Sequence, residues 1–487
     1  MIAIRYCFLL VFILSSGLIQ AQELLAESYF KPSRLNSEVV TVIDNDSMIN
    51  LFAFNNKKIH RLKYSADFRL LSSTDYDAPR SRYGEVAGYA VQEDGTIQLY
   101  YSNSRGNKFS LNAIQEGQGQ ITVDEFDFKF DEDIQLEHFT HQNRFYILAI
   151  NRNSTLKLFE FDGASYTVEE YPQSSMSFDL TSNGKAGELF DFFVTGNAFK
   201  RTEGDLQWMD TESPNSIESV SVLNKLYTIG DRLYITLDKA DENTYVIEIS
   251  LADKTIKTTT FPQPAAEFDR ATVKSNSYLY DGKLFQNIVS RDRLITTVTD
   301  YETRSQIKRL DIARDDELTI ANSSIIQEGG TYDDYRELEK TSKLLRKMTS
   351  ATPGISVYKM NGDYELTIGG SKEVSAAPMV GFGFGGGATI PIGGGNSGIG
   401  LTFISLSPTW HAYNAYTNTK STYFISMFDQ QMNHLDGEVR ENVFDKINTY
   451  VEDKNPMIET VFRYDDSFIY AYFDKRQKKH ILVGFRD

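Results

Sequence analysis

An all-β fold built from one repeated unit is what this sequence predicts, on three observations. Residues about 27–330 are rich in Tyr, Phe, Ile, Val and Thr, broken every few residues by Asp, Asn, Gly and Ser. That is the punctuation of many short antiparallel strands, and helical periodicity is almost absent there. A unit of strand, polar turn and strand recurs, and its first three copies begin at Leu51, Ile97 and Phe145, 46 and 48 residues apart. This spacing is close to the ~40–50 residues of a four-stranded repeat. The single cysteine is Cys7, so no disulfide can hold the fold and the core must come from stacked strands.

In chain order, Met1–Ala21 reads as a secretory signal peptide: Arg5 in a short charged region, the apolar run Cys7–Leu14, then small and polar residues to Ala21 and Gln22. The run is shorter than the ~20 residues of a spanning helix, and no later stretch qualifies. Cys7 precedes most of the apolar run, unlike a lipoprotein acceptor cysteine. Cleavage after Ala21 takes the formal net charge from −17 to −18 and leaves a mature chain, 22–487, without cysteine.

Hairpins are expected at Leu51–Leu62, Ile97–Leu111, Phe145–Phe161, Leu233–Ile249, Leu294–Leu310 and Phe468–Val483, with an Asp281-Gly282 turn inside Ser277–Val289. Glu27–Phe30 is expected to close the last unit. Two segments carry amphipathic helical spacing. Within 332–351 it is Tyr335, Leu338, Leu344, Leu345 and Met348; within 438–452 it is Val439, Val443, Phe444, Ile447 and Val451. Each reads as a helix packed onto the repeat, or as a docking helix.

The segment 374–419 contains no Lys, Arg, Asp or Glu, where average composition would place about 11. Inside it, Gly381–Gly400 has ten glycines in twenty residues, with Phe382, Phe384, Ile390 and Ile392 alternating with small residues as in a hairpin. An exposed, uncharged insertion of this kind is a partner-binding surface, and these four residues with Trp410 are the candidate contacts. The alternative is a loop tucked over the fold or filling a central channel.

These residues resemble β-propeller proteins at the level of architecture. The resemblance implies a single propeller of seven or eight four-stranded blades, closed without exposed edges, with two short helices and the Gly-rich insertion. No repeated Trp-Asp dipeptide, kelch double glycine or Ser-x-Asp-x-Gly-x-x-Trp box is present. A pair of β-sandwiches is the competing architecture. The signal peptide resembles those of Bacteroidota, which implies a periplasmic or outer-membrane-associated protein. Signal type, length and architecture together resemble the propeller-like periplasmic plug subunit of the type 9 secretion translocon.

The chemistry the sequence excludes is equally informative. With 50 Lys+Arg against 67 Asp+Glu and no basic stripe, a nucleic-acid surface is not expected. The Gly-rich tract ends Gly398-Ile-Gly-Leu-Thr402 without the lysine of a phosphate loop. Gly395-Asn-Ser397-Gly-Ile399 lacks the last glycine of a hydrolase elbow. His138 and His141 sit three apart, which on a strand faces them oppositely. The acidic stretch Asp124–Asp133 lacks a calcium-loop pattern and reads as a half-buried strand; Asp44–Ser47 reads as a turn. No catalytic residue, metal or cofactor is expected. The leading expectation is a non-catalytic interaction module of an envelope assembly. A carbohydrate-active propeller enzyme, glycosidase or lyase, is the alternative, and a ligand-binding sensor propeller the third.

Overall fold

The computed structural model describes residues 22–29, 39–54, 57–79, 83, 85–103, 108–117, 119–123, 126, 128–130, 132–177, 180–182, 185–195, 203–239, 242–268, 273–328, 335–371, 407–417 and 420–487. The segment 1–21 and Phe382, Phe384, Ile390 and Ile392 lie outside them.

The described chain is mostly β, arranged as seven larger sheets that follow one another in sequence. The first comprises Val39–Ile43, Ile49–Phe54, Lys58–Tyr64 and Leu70–Asp77; the second runs from Glu85–Val91 to Gly119–Val123 and the third from Ile134–His141 to Ser165–Pro172. Each is a four-stranded antiparallel meander. The fourth sheet, Asn224–Ile229 to Ile256–Pro262, carries a fifth strand, Gln207–Met209, parallel to its first. The fifth sheet spans Lys274–Tyr280 to Gln306–Ala313. In the sixth, Thr352–Met360, Asp363–Ser371 and Ser421–Phe428 are extended outward by Ile325–Gln327 and Arg336–Leu338. The seventh is Pro456–Tyr464, Ser467–Asp474 and Lys479–Phe485, completed by the N-terminal strand Gln22–Tyr29, in which Gln22 pairs with Phe485 and Tyr29 with Lys479.

Burial explains why these residues form these strands. Second strands such as Ile49–Phe54 and Ile97–Ser102 are buried at every position, because both faces of each sheet are covered, and they read as continuous apolar runs. Outer strands meet water: Leu70–Asp77 alternates between half-buried and exposed. Apolar clusters join the sheets in consecutive pairs. Leu51 and Leu62 pack with Ile469 and Leu482 of the seventh sheet, Phe52 and Ile59 with Ile97 and Leu99, and Tyr100 and Phe109 with Phe145 and Phe161. Leu148 and Leu158 pack with Leu233 and Ile247, and one cluster runs from the fourth sheet through the sixth. At the sixth–seventh junction helices intervene: Pro408–Thr417 and Val443–Val451 pack on Tyr470 and Phe485, and the Tyr358 hydroxyl donates to the Asp487 carboxylate.

Local chemistry sets the details. Asp281 and Gly282 both have positive φ, 49° and 68°, the geometry of a type I′ hairpin turn. Within 332–351 the helix occupies Thr341–Ser350, because Arg336–Leu338 pairs instead with Ile325–Gln327. Within 438–452 it begins at Val443, where Asn442 and Asp445 form a reciprocal capping box. The expected strand at Asp124–Asp133 is not formed by its described residues: Phe126 and Phe128 are buried against Phe109 and Phe161. Aromatic packing there outweighs ladder pairing.

Candidate functional site

Two adjacent cavities lie among the first strands of the sheets. One, of about 500 Å³, is walled by the first or second strand and turn of sheets one to four and seven, including Thr41, Tyr89, His141, Thr228 and Arg463. The other, of about 560 Å³, is walled from sheets four to seven and includes Tyr280, Asp281, Lys359 and Arg463. Thr211, Glu212 and Arg463 line both. Arg463 Nη1 stands 3.4 Å from Glu212 Oε2, and its side chain is 36% exposed against 67% for Glu212.

Between the two cavities runs the segment that lines both of them through Thr211 and Glu212. After the parallel strand Gln207–Met209, the buried Asp210 accepts from the Glu212 amide at 3.0 Å, from Ser213 Oγ at 2.5 Å and from Thr409 Oγ1 at 3.3 Å. Burial pushes its carboxyl above the ordinary value. Asn215 donates to the Asp210 carbonyl at 2.6 Å and to the Tyr278 hydroxyl at 3.1 Å. Thr409 belongs to the helix Pro408–Thr417, and Ser407 just before it donates to the Val39 carbonyl at 3.1 Å. A carboxylate held this way is committed to structure, joining residues 199 positions apart.

The wall of the first cavity is tied turn to turn. The Thr140 hydroxyl donates to the Tyr89 carbonyl at 2.8 Å and accepts from the Tyr89 amide at 3.0 Å. His141 Nε2 donates to the Gly230 carbonyl at 2.6 Å, joined there by Gln142 Nε2 at 3.2 Å, and Asn143 Nδ2 donates to Asn45 Oδ1 at 3.0 Å. In the second cavity Asp281 accepts from Lys359 at 3.1 Å and from the Tyr364 hydroxyl. Burial opposes ionisation of Asp281, but these partners outweigh it and hold its carboxyl below the usual value.

Of the residues singled out from sequence, Trp410 is half-buried on the Pro408–Thr417 helix, 5.8 Å from the Tyr413 ring. His138 is buried and meets Gln135, whereas His141 serves the cavity wall. Among the described residues no group of three or more His, Cys, Asp or Glu is placed to hold a metal ion, and no helix is long and apolar enough to cross a membrane. Asp210, Glu212 and Arg463 were not singled out, because acidic residues and arginines are abundant and nothing local marks these.

No protein-family profile and no curated protein sequence matches the chain. Similar solved structures include the SapL1 lectin in complex with alpha methyl fucoside, 11% identical with a TM-score of 0.23, over 70% of this chain and 92% of that one. A prolyl endopeptidase is 10% identical with a TM-score of 0.34, over 95% of this chain and 50% of that one. The AfRom2 CNH domain is 8% identical with a TM-score of 0.30, over 96% of this chain and 99% of that one. TM-scores of this size carry no functional argument.

Proposed function

We propose that the seven sheets are the blades of a single closed β-propeller, exported to the periplasm, which acts as a non-catalytic protein-interaction module of an envelope assembly of the type 9 secretion kind. The consecutive pairing of sheet faces supports one ring, as does the N-terminal strand that completes the seventh sheet.

One observation carries the interaction reading. Ser371 and Ser421 are direct partners in the sixth sheet, so a turn of a few residues would satisfy the fold. The chain instead spends all of 372–420 between them, including the uncharged Gly381–Gly400. The last part of that connection, Pro408–Thr417, is helix packed against the seventh sheet. The stretch before that helix is still far beyond the ~12–15 residues of an ordinary connection, a length characteristic of functional loops, and 374–419, free of charge and bearing Phe382, Phe384, Ile390 and Ile392, suits an apolar partner surface. The test compares the mature protein with a variant lacking 381–400 in pull-downs from detergent-solubilised outer membranes. The reading expects loss of specific outer-membrane proteins; an unchanged set of partners overturns it.

A further inference from the structure

The wall of the first axial cavity has an uneven chemistry. His141, Gln142 and Asn143 each spend a nitrogen on a neighbouring oxygen, which leaves the imidazole Nδ1 and two amide oxygens as acceptors. Thr211 and Thr228 add hydroxyls. Against these stands one cation, Arg463. Its polar contacts are long for a guanidinium, 3.4 Å to Glu212 and 3.3 Å from Nε to the Asp465 carbonyl, where charge-assisted bonds run about 2.7–2.9 Å; its other contact is with the face of the Phe468 ring, 5.9 Å from the centroid. Among the described residues Nη2 has no hydrogen-bond partner. The other cations near the axis are occupied, Lys359 by Asp281 and Arg486 by Ser467 Oγ at 2.8 Å.

We infer that this cavity binds a small hydroxylated carboxylate of the uronic-acid class, with the Arg463 guanidinium on its carboxylate and the His141–Asn143 turn accepting from its hydroxyls. A cavity of about 500 Å³ is of ligand size, since small-molecule sites span about 300–1,000 Å³. Glu212, largely exposed, is the internal competitor: its carboxylate holds Arg463 weakly while the site is empty and swings into solvent when the ligand's carboxylate takes over. Asp210, which also lines the cavity, gives its oxygens to Ser213, Thr409 and the Glu212 amide and takes no part in binding. None of the described residues that line the cavity belongs to 381–400, and the two readings are tested by separate variants.

The test is calorimetric titration and ligand-observed NMR of the mature full chain with galacturonate and glucuronate, against glucose, acetate and sulfate. The inference expects a uronate to bind about tenfold or more tightly than glucose or acetate, since tenfold is about 1.4 kcal/mol, within reach of one charged hydrogen bond. Arg463→Met should weaken uronate about tenfold or more, and Glu212→Gln should tighten it. Deleting 381–400 should leave it unchanged. Circular dichroism checks folding; if Arg463→Met fails to fold, Glu212→Gln and His141→Ala carry the test through opposite shifts in affinity. Absence of uronate binding at millimolar concentration, equal binding by Arg463→Met, or acetate and sulfate binding as well as uronate would each overturn the inference.

Discussion

Replacing Gly88 by alanine tests the sheet-on-sheet packing where it is tightest. Gly88 lies in the first strand of the second sheet, and a Cβ there would stand 2.0 Å and 2.2 Å from Phe145 Cδ2 and Cε2 in the third. Non-bonded carbons prefer about 3.5–4.0 Å, so the ring must retreat by roughly 1.5 Å. It has nowhere to go: Phe145 is fully buried, stacked 4.5 Å from Tyr100 and tilted against Phe161 at 5.1 Å. Overpacking of this kind costs about 1–3 kcal/mol, and the absence of slack places Gly88→Ala toward the upper end. Urea denaturation of the mature protein should show a lower midpoint at unchanged slope. Phe145→Leu opens space, so in the double variant the alanine should cost at least ~1 kcal/mol less than it does alone. A Gly88→Ala midpoint within ~0.5 kcal/mol of wild type, or strictly additive effects in the double variant, would refute this packing and with it the contact between the two sheets.

Four further outcomes are expected. Burial pushes Glu137 and Glu365 up to about 8, so the folded protein holds their protons where the unfolded chain has lost them; stability should therefore fall as pH rises from about 4.5 to 8, and Glu137→Gln or Glu365→Gln should flatten that fall by more than ~1 kcal/mol. His480 runs the other way: burial, with His60 nearby, pushes it down to about 3, so its contribution to stability grows as pH rises through 3–6.5, and denaturation midpoints across pH 4–8 resolve the two limbs. Lys225 and Asp238 are a fully buried pair at 3.5 Å, with Asp238 also accepting from Ser277 and Thr244; Lys225→Met should destabilise by about 3–5 kcal/mol by leaving that carboxylate short of a partner, measured by the same denaturation. Asn442→Ala removes a capping box and should cost about 1 kcal/mol, read as earlier hydrogen exchange in Val443–Val451.

The hairpins were legible because the second strands are covered on both faces and therefore appear as apolar runs bounded by turn residues; Asp281-Gly282 is the plainest case. The closing strand near Glu27–Phe30 was legible too, and it runs as Gln22–Tyr29. What the sequence hid is whatever depends on distant partners. Gln207–Met209 is three residues long, too short for a period to show. Pro408–Thr417 is buried around His411, Ala412, Tyr413 and Ala415, so it lacks the amphipathic stripe that marks a surface helix. The choice between seven and eight units was blurred by 173–206, long enough for another sheet. Its described residues form two short ladders, the 3-10 turn Gln173–Ser175 and the helix Leu189–Phe193, whose Phe192 and Phe193 fill the space between sheets three and four. Glu212 and Arg463 meet from distant parts of the chain, and neither has a local motif.

Closure of the ring by the N-terminal strand is the claim on which the rest stands. Tyr29, 83% exposed, faces Lys479 across the last ladder, and Cα separations of about 4.5–5.5 Å between antiparallel partners suit a disulfide, which needs about 4.4–6.8 Å. Residues 22–487 contain no cysteine, so in that chain Tyr29→Cys with Lys479→Cys should oxidise to an intramolecular bond, lose both free thiols by mass spectrometry and unfold at higher temperature than its reduced form. Two thiols that stay free under oxidant, or that link separate chains, would contradict the closed ring.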